Sequence, residues 1–181
     1  MKNLVNINCL DLELNSISDI SPLEKLIKLE RLELSSNKIK DITPLKNISI
    51  LNRLGLENNL ITNTETIANL DYLNYLNLNM NLIEDISALN NLKQLKNLYL
   101  HTNKITTIDS LDNLQALQAI DLRSNLLNDE AAKFITDKNN FPDLKYLYLS
   151  NNSLLTIPAE ILKLNEVQLL PKLREYFISK N

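Results

Sequence analysis

Seven side chains in this sequence could do chemistry together: Tyr75, Tyr99, His101, Asp121, Arg123, Tyr146 and Tyr148. Tyrosine and arginine dominate binding hot spots, because each offers a large flat surface and a directional polar group. A histidine beside a carboxylate and a phenol could instead act as an acid–base trio, and His101 could sense pH, since imidazole titrates near neutrality. Little else in the sequence is reactive. His101 is the only histidine, Cys9 the only cysteine and Gly55 the only glycine. One histidine and one cysteine cannot assemble a zinc site, and one glycine cannot form a phosphate-cradling loop. No catalytic activity, metal, cofactor or small-molecule substrate is expected.

What could bring the seven together is a period. Tyr75, Asn97 and Ala119 are 22 residues apart, as are Asn77, Tyr99 and Asp121, and Asn79, His101 and Arg123. The period runs through the apolar residues as well. Leu29, Leu32, Leu34, Asn37, Ile39, Ile42, Leu45 and Ile48 form one frame. Equivalent frames begin near residues 7, 29, 51, 73, 95, 117 and 144. In each, the Leu-x-Leu step alternates with period two and predicts a short strand. No unit of this length can bury its apolar face alone, so neighbours must stack, with the strands side by side in a parallel sheet. A polar residue at Leu78 or Leu100 is expected to break the array in its middle.

The column Asn15, Asn37, Asn59, Asn81, Asn103, Asn125 and Asn152 reads as structural, because the amide group of asparagine can tie the backbone of one coil to the next. With so little glycine the backbone must turn by other means. Asparagine, which tolerates left-handed φ/ψ, is the expected substitute.

These frames resemble the leucine-rich repeat, L-x-x-L-x-L-x-x-N-x-L, over about residues 4 to 164. The 22-residue units, with Asp19-Ile20-Ser21-Pro22-Leu23 and Asp41-Ile42-Thr43-Pro44-Leu45, are similar to those of bacterial internalins and of a regulatory subunit of protein phosphatase type one. The resemblance implies an α/β solenoid. This would be a leucine-rich-repeat horseshoe with a parallel concave β-sheet, a convex side mainly of turns and 3-10 pieces, and one helical repeat near 128–138. There Asn128-Asp129-Glu130 opens a segment whose Ala131, Phe134 and Ile135 form an apolar stripe. That unit is similar to ribonuclease-inhibitor-type repeats. Residues 1–164 are expected to form the repeat domain and 165–181 a C-terminal cap. Within the cap Val167–Leu170 read as a last short strand, and Pro171 as the start of a helix. Internalins carry a helical cap before their repeats. Only about six residues precede the first frame here, which would leave that end of the core open.

Function in such solenoids sits on the concave sheet. Its outward positions collect Asp11, Glu13, Glu33, Glu57, Arg31 and Arg53 toward the N-terminus, and Tyr99, His101, Asp121, Arg123, Tyr146 and Tyr148 on three strands toward the C-terminus. At a strand spacing of about 4.8 Å the second cluster spans about 10 Å. Cys9 and His101, four repeats apart, are roughly 19 Å from each other and cannot pair. The same distribution would arise if tyrosine merely suited a strand and charge a wet surface.

The partner expected for such a face is an unidentified protein. A formal net charge of −3 and an isoelectric point near 5.3 argue against nucleic acid. No apolar run approaches the roughly 20 residues of a membrane helix. Met1–Ile7 does not read as a signal peptide, so a cytoplasmic location is expected, with a secreted fragment as the alternative. The internalin resemblance implies a host-directed binding factor, and the phosphatase-regulator resemblance a non-catalytic subunit docking an enzyme. An effector whose enzyme domain lies elsewhere is a further alternative. The sequons Asn47-Ile48-Ser49 and Asn151-Asn152-Ser153 would matter only in a eukaryotic secretory route.

Overall fold

A computed structural model describes residues 5–180. Met1–Leu4, part of the segment in which no leader was read, lie outside the described residues. Each frame contributes one three-residue strand: β1 (Cys9–Asp11), β2 (Arg31–Glu33), β3 (Arg53–Gly55), β4 (Tyr75–Asn77), β5 (Asn97–Tyr99), β6 (Ala119–Asp121) and β7 (Tyr146–Tyr148). They form one open parallel sheet in the order β1 to β7. The register is strict, with Leu10, Leu32, Leu54, Leu76, Leu98, Ile120 and Leu147 side by side. From Leu32 to Leu147 these residues are at most 1% exposed. Burying a side chain of that size is worth roughly 1.5–3 kcal/mol, so the continuous apolar row holds the coils together.

The convex side is built from short 3-10 helices at Ser21–Leu23, Thr43–Leu45, Glu65–Asn69 and Ser87–Asn91. Each is nucleated by a side chain two residues ahead of its first amide. The N–H groups of Ser21, Thr43, Glu65 and Ser87 donate to Asp19, Asp41, Asn63 and Asp85 at 2.7–2.8 Å. Pro22 and Pro44 fit because the first amides of a helical turn have no internal partner.

The asparagine column works as a set of rungs. Asn81 Oδ1 accepts from the Ile61 amide of the preceding coil at 3.0 Å, and its Nδ2 donates to the carbonyls of Leu56, Leu78 and Asn79. Asn37, Asn59, Asn103 and Asn125 repeat that pattern.

The turns differ from expectation. The left-handed residue of each coil is the one before the column asparagine: Leu14, Ser36, Asn58, Met80, Thr102, Ser124 and Asn151, with φ between 52° and 59°. Only two of these are asparagine, and Gly55 is not among them. A left-handed conformation costs an L-residue roughly 1–2 kcal/mol. The side-chain amide of the next residue gathers the two carbonyls just before the bend and one from the preceding coil, and those bonds offset the strain whatever side chain occupies the bend. The column asparagine therefore acts beside the turn, and only Asn58 and Asn151 put asparagine in it.

The sixth coil carries α1 (Asp129–Thr136), capped by Asn128 Oδ1, which accepts from the Ala131 amide at 3.0 Å. Ala131, Ala132 and Ile135 are buried, and Phe134 meets Phe141 edge to face at 5.9 Å. After the short α2 (Ala159–Leu162) the backbone enters α3 (Glu166–Ile178).

Here the expected strand is overturned. Val167–Leu170 are helical, because Asn165 caps the amides of Val167 and Gln168 and starts the helix five residues before Pro171. The proline removes a donor from the Val167 carbonyl. Val167 is 59% exposed, so water can replace that donor. Leu169, Leu170 and Leu173 are buried in the core. Arg174 donates to the carbonyls of Thr136 and Phe141 at 2.8 and 3.4 Å, closing the end of α1, and Tyr176 donates to the Thr156 carbonyl at 2.8 Å.

Candidate concave binding face

In β5 to β7 the middle outward position places Tyr99, Asp121 and Tyr148 side by side. Asp121 is only 3% exposed, an unusual burial for a carboxylate on a sheet surface. Its charge is answered by Arg123, two residues on. Asp121 Oδ1 accepts from the Arg123 amide at 3.1 Å and from Nε at 2.9 Å, and Oδ2 accepts from Nη2 at 2.5 Å. This fork fixes the guanidinium plane, and Arg123 also lies 5.1 Å from the Tyr148 ring centre. The hydrogen bond to Asp121 raises the Arg123 pKa further above its ordinary value. Burial raises both phenols, helped by Tyr75 at Tyr99 and by Glu166 of α3 at Tyr148. Both tyrosines stay neutral hydrogen-bonding groups across the physiological range.

The stack continues into the previous coils. The Tyr99 and Tyr75 rings are 5.4 Å apart, and the Arg53 guanidinium sits 3.5 Å over Tyr75. Arg53, Tyr75 and Tyr99 thus form a continuous cation–aromatic row from β3 to β5, and Arg123 packs against Tyr148 beyond it.

The N-terminal strands handle their carboxylates differently. Glu33 Oε1 accepts from the Ser35 hydroxyl at 2.5 Å, and the Glu33 carboxylate fills the space where a side chain on Gly55 would begin. Gly55 is therefore kept for room and not for backbone freedom. Glu57 Oε2 accepts from Asn77 Nδ2 at 2.8 Å. Across the floor the amides of Glu57 and His101 donate to Ser35 and Asn79.

Of the seven candidates, Tyr75, Tyr99, Asp121, Arg123 and Tyr148 lie in this array. Tyr146 starts β7 and is 43% exposed; its amide donates to the Gln118 carbonyl at 3.0 Å, but its side chain has no ring or hydrogen-bond partner among the described residues. His101 turns toward the rim, where Nδ1 and the Thr102 hydroxyl share a 2.8 Å hydrogen bond. With His101 on Thr102 and Asp121 on Arg123, the two do not form a proton relay. Arg53 and Gly55 were not among the candidates. The signal for Arg53 was its strand register with Tyr75, and for Gly55 its place opposite Glu33. Among the described residues no group of three His, Cys, Asp or Glu side chains could hold a metal ion, and no helix is long and apolar enough to cross a membrane. A groove of about 630 Å³ lies between α1 and α3, with Lys133, Pro171, Arg174 and Phe177 in its walls. None of the concave residues lines it.

The family model for leucine-rich repeats (two copies) matches residues 5–47 and 73–113. An internalin of Listeria monocytogenes is 38% identical with a TM-score of 0.81, covering 86% of this chain and 45% of that one. Internalin C2 of the same species is 33% identical with a TM-score of 0.75, covering 82% of this chain and 64% of that one. A leucine-rich-repeat protein of Leptospira interrogans is 30% identical with a TM-score of 0.74, covering 88% and 42%. The chain thus spans from less than half to just under two thirds of the length of these relatives. No curated protein matches it.

Proposed function

We propose that this chain, a leucine-rich-repeat protein resembling the internalins, is a recognition module that binds a protein partner on its concave face. The observation that carries the reading is the preformed row around Tyr75, Tyr99, Asp121, Arg123 and Tyr148. Its aromatic surfaces are half-exposed, and its one buried charge is already paired. Such a surface loses little side-chain entropy on binding and leaves no charge stranded when covered. Binding, without turnover, is the role this arrangement favours, because the polar groups that could have moved protons are engaged with structural partners.

The test is affinity capture from the native cell, comparing wild type with a Tyr99→Ala, Arg123→Ala, Tyr148→Ala variant whose fold is verified by circular dichroism. A partner held by wild type and lost by the variant supports the reading. A partner held equally by both moves the site off this row.

The likeness to two Listeria internalins favours a second reading, a microbial factor directed at a host protein. Fractionation separates the two. Residence in the cytoplasm fits an intracellular regulatory role, and detection outside the cell fits the host-directed one.

A further inference from the structure

The outermost outward row at the N-terminal end holds an arrangement that the aromatic row leaves unused. Arg31 and Arg53 are in register on adjacent strands, whose backbones run about 4.8 Å apart. Like charges directly opposite each other destabilise a sheet. Carboxylates are close in sequence, with Glu33 and Glu57 on the same two coils. Yet among the described residues the ion pairs are Lys104–Glu84, Arg123–Asp121 and Lys172–Glu175, and neither Arg31 nor Arg53 takes part in one. The two glutamates are drawn off by neutral groups: Glu33 lies over Gly55 against the Ser35 hydroxyl, and Glu57 is held by Asn77. The single glycine of the protein is what makes room for the first of these diversions.

Arg53 is also held still. Its guanidinium stacks 3.5 Å over the Tyr75 ring. Stacking fixes the plane by its face and leaves the in-plane N–H donors along its edge unspent, the geometry that accepts a carboxylate through two parallel hydrogen bonds. Arg31, exposed on the neighbouring strand and in register with Arg53, adds a second cation that takes part in no ion pair among the described residues. At the far end of the sheet the same kind of fork is already filled, by Asp121 on Arg123.

We propose that Arg31 and Arg53 form a carboxylate-binding subsite, with Tyr75 as its floor, that takes an acidic group of the bound partner. The carboxylate comes either from an Asp or Glu residue in an extended segment or from the partner's own C-terminus. The proposal rests on the concave face being the binding face. It adds a polarity to the complex, with the partner's anion over β2 and β3 and its less charged surface over β5 to β7.

The test is a titration of the ¹⁵N-labelled protein, reading the Nε–Hε signals of Arg31 and Arg53, with three peptide probes: acetyl-Phe-Asp amide, acetyl-Asn-Phe with a free C-terminus, and neutral acetyl-Phe-Asn amide. The carboxylate probes should shift both arginine signals and bind about tenfold more tightly than the neutral one, as expected for hydrogen bonds to a charged group. That advantage should vanish in an Arg31→Ala, Arg53→Ala variant and shrink in Arg53→Lys, which keeps the charge and loses the fork. Preference for the first or second probe distinguishes an aspartate-type carboxylate from a terminal one. Equal affinity for all three probes, or arginine signals that no carboxylate moves, would overturn the subsite. If the ring signals of Tyr75 and Tyr99 still respond, or the tyrosine variant still loses the partner, the concave-face reading stands without it.

Discussion

The two ends of the concave floor use the same outward positions in each coil and reach opposite electrostatic states. Over β6 and β7 a carboxylate and a guanidinium two residues apart in one coil close on each other, and the guanidinium packs against Tyr148. Over β2 and β3 the carboxylates bond to a hydroxyl and an amide, while Arg31 and Arg53, in register on adjacent strands, take part in no ion pair among the described residues. The backbone does not distinguish these regions, since the register is the same throughout. The difference comes from which neighbours each charged group can reach sideways. A solenoid can thus place a neutralised, area-rich patch and an unneutralised, selective patch on one rigid surface. In the proposed complex the first would contribute apolar burial that is little affected by salt, and the second orientation that salt screens.

The largest effect is expected from a change beneath the border of the two halves. Asn81→Ala removes rungs to the Ile61 amide and to three carbonyls, and should cost about 3 kcal/mol in urea unfolding, since buried groups left unmatched cost about 1–3 kcal/mol each. Both halves should lose binding together; retained stability would show that the column is not what carries the coils. Next is Asp121→Ala, which makes the C-terminal half resemble the N-terminal one by freeing Arg123. It should cost about 1–2 kcal/mol of stability, held down because Arg123 remains half in water. Partner binding should become more salt-dependent.

Gly55→Ala attacks the contrast from the other side. A methyl there displaces the Glu33 carboxylate, which can then turn to Arg31 or Arg53. Stability should change by less than about 1 kcal/mol, because the glycine has no left-handed φ to protect. The preference for carboxylate probes should fall, and an unchanged preference would mean that Glu33 is not what keeps the arginines free.

The smallest effect belongs to the convex side. Hydrogen bonds from Ser21, Thr43 and Ser87 hold the carboxyls of Asp19, Asp41 and Asp85 below the ordinary 3.8; the backbone N–H leads at Asp19 and Asp85, the Thr43 hydroxyl at Asp41. A carboxylate more acidic when folded adds stability above its unfolded pKa and loses it as pH falls through the folded one. Stability should therefore drop below about pH 4. Asp85→Asn, which installs the residue that already serves at Asn63, should slightly reduce that drop in thermal melts and leave concave binding untouched. Its exposure keeps the effect small.

The repeat frame, the seven strands, the structural role of the asparagines and the helix near residue 129 were all legible in the sequence, because each follows from a periodicity or a local cap. What escaped depends on lateral neighbours. Nothing local marks Leu14, Met80 or Thr102 as left-handed; the following asparagine imposes it. The period-two pattern also placed Asp121 in solvent, whereas the adjacent tyrosines and Arg123 bury it. Val167–Leu170 misled because a short apolar run suits strand and helix equally, and the cap at Asn165 decides between them.

The rungs have a consequence for how this molecule can change over generations. Each coil from the second onward carries in its own asparagine the fastening to the coil before it, so a duplicated 22-residue unit arrives with its attachment included. Length can then grow or shrink by whole units without rebuilding the neighbours. Each unit gained or lost between β3 and β6 would alter the span between the arginine pair and the Asp121 fork by one strand spacing, about 4.8 Å. The ruler that this surface would hold against the proposed partner is therefore graduated, and inheritance can reset it only in whole divisions.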